Sequence, residues 1–219
     1  MYRDRHDAGR ALARLLTEVS SAEALVLALP RGGVPVAEEI CAVLGAPLGL
    51  LPVRKIGLPG QRELAAGALA RHIEEARVLN DDIVAAAALT PEDVEQLTRR
   101  AREELEARIA AFPDRPRDPR DKTAILVDDG LATGATMRAA IAVMRLEHAG
   151  EVIVALPVGA PDTVAEIART VEHMICPFQP HPFRSVGEHY LSFEQVEDAE
   201  VRRALERFGG SERHSSLSP

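Results

Sequence analysis

Residues 125 to 137 read ILVDDGLATGATM, and this stretch decides how the rest of the chain is interpreted. A row of branched apolar residues, typical of a buried strand, runs directly into two adjacent acids, Asp128 and Asp129. A loop rich in glycine and threonine follows, and loops of this composition bind phosphate groups through their backbone N–H groups. The sequence therefore places two negative charges beside a loop that suits an anion, and the ligand must account for both.

Short apolar runs and amphipathic helices alternate along the chain on both sides of this stretch. We predict strands at 24–30, 47–53, 123–127, 151–157 and 171–177, with helices between most of them. Buried strands that alternate with helices are typical of a parallel sheet with helices on both faces. The sequence therefore predicts an α/β fold.

Four segments lie outside this alternation. Residues 54–72 are rich in glycine and predict a mobile loop or ribbon, while residues 77–80 predict a short strand. Residues 177–193 break the alternation and are expected to form a small hood at one edge of the site, joined by the N-terminal segment in one interpretation. Residues 209–219 are expected to be a disordered tail, which leaves 1–208 as a single domain.

Two helices are indicated by their own local signals. Apolar residues recur at helical spacing from residue 8 to residue 19 and predict an opening amphipathic helix. Thr90 and Pro91 open a long helix as its N-cap and first residue. Within that helix, Glu104 and Arg108 have the i,i+4 spacing of a stabilising ion pair.

Composition limits the classes of protein that fit. The chain has 219 residues and a net charge of −8, which argues against broad electrostatic attraction to nucleic acid. Its two cysteines, Cys41 and Cys176, are far apart in sequence and fit a reducing compartment rather than a disulfide or zinc framework. No apolar run approaches the roughly 20 residues that span a bilayer, and the start lacks the apolar region of a secretory signal. The expected location is the cytoplasm, without a membrane partner.

The loop after the two acids has the residue types of an anion site. Gly130 and Gly134 let backbone N–H groups point at an anion, Thr133 and Thr136 add hydroxyl donors, and a helix begins near Ala135. The loop is not a Walker loop, because no Gly-Lys-Ser/Thr follows. A ribose 5-phosphate suits both the loop and the two acids, because its phosphate can bind in the loop while its 2- and 3-hydroxyls donate to the acids. The acids would also hold Mg²⁺ through its waters.

This stretch resembles the 5-phosphoribosyl 1-diphosphate (PRPP) motif of type I phosphoribosyltransferases. That motif has four apolar residues, two acids, three variable residues and Thr-Gly-x-Thr, and it is filled here without exception when Ala124 counts as the first apolar position. The simpler alternative is a capped strand-to-helix turn. The resemblance implies a Rossmann-like core, Asp128 and Asp129 as catalytic residues and Mg²⁺ ligands, and a PRPP site formed by those two acids with Gly130, Leu131, Ala132, Thr133, Gly134, Ala135 and Thr136.

Two earlier segments resemble other parts of the same family's site. Pro30-Arg31-Gly32-Gly33 stands where the family has its pyrophosphate loop, with Gly32 and Gly33 for close approach and Arg31 for charge. Lys55 resembles the family's next basic residue, which reaches the pyrophosphate, and with Arg31 it completes the set of catalytic residues that the resemblance implies. The glycine-rich segment at about 54–72 resembles the flexible loop that closes over PRPP, with Arg62 and Glu63 as its candidate contacts.

The likeness covers roughly residues 1–208 and points to an uncharacterised bacterial subgroup of predicted phosphoribosyltransferases of unknown base specificity. It implies Mg²⁺-dependent transfer of a phosphoribosyl group from PRPP to a nitrogenous base or related acceptor, with pyrophosphate as product, in nucleotide salvage. A homodimer is left open. The main alternative is a non-catalytic PRPP sensor that regulates a partner, and a PRPP or nucleotide hydrolase is a third hypothesis.

The acceptor base is not identified by the sequence. Enzymes that act on 6-oxopurines have an aspartate where this chain has Ala132, which argues against hypoxanthine and guanine without establishing adenine. The uracil enzyme's glycine-rich loop is also absent. Five side chains of the hood are candidates for base contacts, with a structural role as the alternative, namely His181, His189, Tyr190, Phe178 and Phe183. Cys176 is expected to be a buried thiol.

Overall fold

The computed structural model describes residues 1–17, 23–58, 61–112 and 116–209. Within them the strands are β1 (Ala24–Ala28), β2 (Leu48–Leu50), β3 (Val53–Leu58), β4 (Gln61–Arg71), β5 (Glu75–Leu79), β6 (Thr123–Val127), β7 (Glu151–Ala155) and β8 (His173–Ile175). The helices are α1 (Arg5–Leu16), α2 (Gly33–Leu44), α3 (Asp81–Ala86), α4 (Pro91–Ala111), α5 (Ala135–Leu146), α6 (Pro161–Ala168) and α7 (Asp198–Phe208), with one 3₁₀ turn at Gly187–His189.

The central sheet has five parallel strands in the order β2-β1-β6-β7-β8. The chain builds outward from β1 to β2 on one side and from β6 through β7 to β8 on the other. The order of the strands therefore reverses between β1 and β6, and ligands of open α/β sheets bind at such a point, beyond the carboxyl ends of the strands. The predicted α/β fold with a parallel sheet and helices on both faces is confirmed.

The apolar core lies on both faces of this sheet. Successive residues of β6 point to opposite faces, so that Leu126 packs in one cluster with α5 and α6 while Ile125 and Val127 pack in another with α1, α2 and α7. All five residues of β6 are buried. Burial on both faces explains why this strand is an unbroken apolar run rather than an alternation of apolar and polar residues.

A second sheet, antiparallel and three-stranded, is formed by β3, β4 and β5. The single strand predicted over 47–53 is wrong, since β2 ends at Leu50 and β3 begins at Val53. Pro52 lies between them, and a proline has no N–H group to donate to a strand ladder. Of the two possibilities for 54–72, the described residues form the ribbon, while residues 59 and 60 and the side chains of 61–63, which include both candidate loop contacts, lie outside the description.

Helix α4 lies against this ribbon. Thr90 caps the helix in a reciprocal capping box with Asp93, and Pro91 is its first residue, as predicted. Leu105 and Ala101 pack into an apolar cluster with Ile56 of β3 and Leu69 of β4. The predicted pair of Glu104 with Arg108 does not form, because Glu104 instead pairs with Arg54 of β3. The sequence did not predict α3, which connects the ribbon to α4.

The structure describes only the first residue of the predicted tail. Gly209 is the C-cap of α7, and the rest of the predicted tail lies outside the described residues. Within the described part of the chain, no helix combines the length and the apolar character needed to cross a bilayer.

Replacing Leu105 by alanine is expected to lower the free energy of unfolding by about 2–5 kcal/mol, because the leucine is fully buried between α4 and the ribbon. Urea unfolding measures this change. Leu146→Ala is the matched control, since Leu146 is 50% exposed and should change the free energy of unfolding by less than about 0.5 kcal/mol. Equal effects of the two substitutions would contradict the packing of α4 on the ribbon.

Candidate functional site

Two loops meet at the point where the strand order reverses. The segment 30–33 follows β1 and the segment 128–134 follows β6, and these neighbouring strands pair from Ala24↔Thr123 to Ala28↔Val127. The loops approach so closely that a Cβ atom on Gly32 would lie 2.2 Å from Oδ2 of Asp129. A Cβ atom on Gly33 would lie 2.4 Å from the carbonyl oxygen of Val127. Both glycines are therefore required by contact between the two loops.

Hydrogen bonds on one side fix the loop between β6 and α5. Its residue Leu131 exchanges backbone hydrogen bonds with Val158 and Ala160, at 2.9 and 2.8 Å. The hydroxyl of Thr163 donates to the carbonyl oxygen of Ala132, and Nη1 of Arg138 donates to that of Thr133, both at 2.8 Å. These bonds engage three successive carbonyl groups on the side of α6, which fixes the orientation of the peptide units.

The opposite side of this loop carries unengaged donors. Gly134 has the left-handed φ of +75° and is the N-cap of α5, and no side chain caps the helix there. Among the described residues, no acceptor bonds to the N–H groups of residues 132–137. Thr136 lies in the first turn of α5. Free N–H groups at the positive end of a helix are donors of the kind that suit an anion.

Asp128, the first of the two acids, directly follows the last residue of β6. Its Oδ1 accepts a hydrogen bond from the backbone N–H of Asp129 at 2.9 Å. Burial raises the pKa of Asp128 well above its usual range, and the neighbouring charge of Asp129 raises it further, while Arg5 and Lys55 oppose the shift. A cation or a hydroxyl donor that reaches this carboxylate would stabilise its charged form.

Asp129 has a partner that no local pattern in the chain predicts. Nε and Nη2 of Arg5, near the start of α1, both lie 2.8 Å from Oδ2 of Asp129. The Arg5 guanidinium also stacks 3.8 Å from the ring centre of Phe193 and donates to the carbonyl oxygen of Glu194 at 2.7 Å. Burial raises the pKa of Asp129, and Arg5 opposes that shift. The second acid of the motif is thus paired within the protein.

The hood is joined to this acid as well. The hydroxyl of Tyr190 donates to the backbone oxygen of Asp129 at 2.6 Å, and Tyr190 stacks on Phe193. The N-terminal residues pair with the same stretch, since the N–H of Tyr2 bonds to the oxygen of His189 and the N–H of Leu191 bonds back to Tyr2, both at 2.9 Å. The N-terminal residues are thus hydrogen-bonded to residues 189–191 of the predicted hood.

The aromatic candidates of the hood pack on one another. The ring of His189 lies 5.3 Å from that of Phe178 and 5.4 Å from that of Phe183, and its Nε2 is buried without a hydrogen-bond partner among the described residues. Phe178 and Phe183 are partly buried beside Val158 and Tyr190. His181 is exposed. The structure thus gives the two phenylalanines an internal packing role.

One cavity of about 730 Å³ connects the two loops to the ribbon and α4. Its lining includes Pro30, Asp128 and Thr136 from the loops and Lys55 from β3, so that three residues of the predicted site face one space. Arg31 is placed differently, because its Nη1 lies 3.0 Å from Oδ1 of Asp198 on α7 and the residue is not part of the lining. Two further arginines of α4, Arg100 and Arg108, line the cavity and were missed by sequence reasoning.

Neither of the two cysteines lines this cavity. Cys41 and Cys176 are both free and buried, and burial raises the pKa of each thiol to about 12. A thiol that stays protonated at neutral pH is a poor nucleophile. Cys176 is therefore a buried thiol, as expected.

Across the described ranges, no group of three or more potential metal ligands converges.

The chain is similar to proteins of one family. The family model for the phosphoribosyl transferase domain matches residues 1–192. A Mycobacterium tuberculosis H37Rv protein named "Putative phosphoribosyl transferase Rv0571c" is 43% identical over 209 residues, which are 94% of this chain and 47% of that protein. The same identity and coverage hold for the corresponding protein of strain CDC 1551. The chain therefore spans about half the length of the curated relatives it matches.

Solved structures support the same fold. The crystal structure of TT1426 from Thermus thermophilus is 35% identical, with a TM-score of 0.78 over 96% of this chain and 100% of that one. Protein AQ2163 of Aquifex aeolicus is 13% identical, with a TM-score of 0.50 over 84% of this chain and 78% of that one. At that identity, the second likeness concerns the fold alone.

Gly33→Ala is expected to lower the free energy of unfolding by about 1–3 kcal/mol, because the added methyl group would meet the backbone of β6. That backbone has little freedom to shift, since the oxygen of Val127 also accepts from the N–H of Leu29 at 2.8 Å. Gly57→Ala is the control, as a Cβ atom there would meet nothing within 4 Å. Chemical denaturation compares the two, and a smaller loss for Gly33→Ala would contradict the close approach of the loops.

Arg5→Met is expected to loosen the hood, because the substitution removes its ionic contact with Asp129. The measurement is amide hydrogen exchange, in which peptides covering residues 187–193 should exchange faster while those of α5 stay unchanged. Arg3→Met is the matched control, since among the described residues the Arg3 side chain pairs only with Asp7 and is 70% exposed. Unaltered exchange in Arg5→Met would show that the tyrosine contacts alone hold the hood.

Proposed function

The chain belongs to the phosphoribosyl transferase domain family, and on that premise we propose that it transfers a 5-phosphoribosyl group from PRPP to a nitrogenous acceptor and releases pyrophosphate. The observation that carries this proposal is the single cavity shared by Asp128 and Thr136 after β6, Pro30 after β1 and Lys55 of β3. A donor of this kind needs an anion site, a site for sugar hydroxyls and a second anion site, and these residues offer all three types of group.

The 5-phosphate would bind at the start of α5. The unengaged N–H groups of residues 132–137 and the hydroxyls of Thr133 and Thr136 are donors suited to a terminal phosphate. Asp128, which has no cationic partner at bonding distance among the described residues, would accept hydrogen bonds from the ribose hydroxyls. Asp129 is already paired with Arg5. To bind the sugar as well, the carboxylate of Asp129 would have to accept hydrogen bonds from Arg5 and the ribose together, or separate from Arg5.

A Mg²⁺ ion fits this set of groups. Magnesium in phosphate sites is usually held by one or two carboxylates, with substrate phosphates and water completing the shell. The two adjacent acids supply such carboxylates, and a protein cage of three or more ligands is not needed. Asp128 would hold the ion directly or through water, with Asp129 as the second acid. When bound, the ion would neutralise charge on the departing diphosphate.

The reaction breaks the bond between C1 of the ribose and the diphosphate oxygen, and it forms a bond from C1 to a nitrogen of the acceptor. The bonding electrons leave with the diphosphate, and the acceptor nitrogen loses its proton to a base or to solvent. Positive charge grows on the sugar and negative charge on the leaving group. Asp128 would stabilise the former and Lys55 the latter, and a single well-placed donor of this kind is worth roughly 10²–10³ in rate.

A PRPP sensor without turnover is the second candidate, and the Arg5–Asp129 pair favours it. In this arrangement the protein occupies one of the two acids that a transferase would use. Pyrophosphate release in the presence of PRPP, Mg²⁺ and a mixture of nucleobases separates the two functions. Release that depends on a base supports transfer, release without a base indicates hydrolysis, and PRPP binding with no release supports the sensor.

Asp128→Asn is expected to weaken PRPP binding by about tenfold or more, because it replaces a charged acceptor of the ribose hydroxyls with a neutral one. Isothermal titration of PRPP with Mg²⁺ measures the affinity. Asp162→Asn on the exposed side of α6 removes the same charge away from the cavity and should leave the affinity unchanged. An undiminished affinity in Asp128→Asn, with wild-type binding intact, would refute the role of this acid.

A further inference from the structure

The cavity beside the two loops is basic, although the whole chain has a net charge of −8. Four basic side chains line it, namely Arg54, Lys55, Arg100 and Arg108, against the two acids Glu104 and Asp128. Arg54 and Glu104 form an ion pair with each other. A positive surface therefore faces the space that Asp128 and Thr136 also line, and its charge is local rather than a property of the whole molecule.

Three of these basic side chains have no carboxylate partner in the described part of the chain. Neither Lys55 nor Arg100 forms an ion pair there, and Arg108 contacts only a backbone oxygen, that of Pro30, at 3.1 Å. Lys55 and Arg100 are exposed to water, whereas Arg108 is partly buried, and a cation taken from water is normally paired because its loss of hydration must be compensated. An anion in the cavity would supply this compensation.

Arg108 is the most informative of the three. It is partly buried, and burial lowers the pKa of its guanidinium, with further lowering from the charges of Arg31 and Arg54. Asp198 opposes this lowering, and Arg31 and Arg54 are each ion-paired, with Asp198 and Glu104, whereas Arg108 has no carboxylate partner among the described residues. A partly buried cation without a carboxylate partner favours the binding of an anion, which compensates for the hydration that the cation has lost.

The position of Arg108 also determines which group of a bound ligand it could contact. Its hydrogen bond to Pro30 fixes α4 against the loop after β1, whereas the phosphate site at the start of α5 belongs to the loop after β6. The basic surface therefore lies on the side of the first loop. Arg31 is the charged residue of that loop, and it pairs with Asp198 instead of facing the cavity.

We propose that Arg108 and Arg100 of α4, together with Lys55 of β3, bind the diphosphate group of the phosphoribosyl donor. This inference rests on the proposed function and adds residues to it, because α4 follows the ribbon in sequence and is no part of either loop. Arg31 does not line the cavity, and the guanidinium groups of Arg100 and Arg108 would supply positive charge there in its place. Planar guanidinium groups also suit the paired oxygens of a phosphate better than an ammonium group does.

The test compares three ligands by calorimetry in the presence of Mg²⁺, namely PRPP, inorganic pyrophosphate and ribose 5-phosphate, which lacks the diphosphate. Arg108→Gln keeps an N–H donor for the oxygen of Pro30 and removes the charge. We expect this variant to bind PRPP and pyrophosphate about tenfold to hundredfold more weakly and ribose 5-phosphate within about threefold of wild type. Arg108→Lys should recover part of the loss.

Two further variants serve as controls. Arg99→Gln lies on the same helix, is exposed and does not line the cavity, so it should bind all three ligands as wild type does. Arg100→Gln removes the exposed arginine of the cavity and should weaken PRPP and pyrophosphate but not ribose 5-phosphate. Arg100→Gln therefore also tests the proposal if Arg108→Gln does not fold.

The outcomes separate this inference from the proposed function. If the wild-type protein binds PRPP, and Arg108→Gln and Arg100→Gln bind it with the same affinity, the inference is overturned and the proposed function is not. An equal loss for all three ligands in Arg108→Gln would also overturn it, since Arg108 would then only shape the loop. A wild-type protein that binds neither PRPP nor ribose 5-phosphate would overturn the proposed function, and this inference with it.

Discussion

The close approach of two backbone segments is the constraint on which the site depends. Strands β1 and β6 pair over five residues, and the loops that leave them are in contact because Gly32 and Gly33 have no side chain. Any Cβ atom at either position would enter the space of Asp129 or of the backbone of β6. The reversal of strand order provides the crevice, and the two glycines allow both loops to face it together.

Adjacent acids beside an anion site form a stable arrangement only if their charges are balanced. Two unit charges about 4 Å apart repel by roughly 4 kcal/mol at an effective dielectric constant of about 20, which exceeds the net value of an ordinary hydrogen bond, about 1 kcal/mol. The protein deals with the two acids separately. Arg5 neutralises Asp129 and ties the hood to it, while Asp128 faces the cavity with a raised pKa. The second acid thus has a structural role whatever ligand the first one binds.

The sequence predicted features that depend on local order along the chain. Strand β6, the capping box at Thr90 and the helix start at Ala135 follow from periodicity and turn chemistry, and the structure has them. It could not predict the pair of Arg5 with Asp129, which joins residues 124 positions apart. Long-range partners of side chains are set by how elements pack, and an arginine near the N-terminus has no local signal that distinguishes it from its neighbours.

Helix α4 illustrates the same limit in its charges. By spacing alone, Glu104 and Arg108 should pair along the helix, but the ribbon brings Arg54 to Glu104 and leaves Arg108 facing the cavity. Surface pairs within a helix are worth only about 0.3–0.5 kcal/mol, so packing against a second sheet readily exchanges their partners. The exchange leaves Arg108, rather than Arg54, without a carboxylate partner on the wall of the cavity. An acidic protein can thereby present a basic cavity whose cations come from separate elements, here β3 and α4.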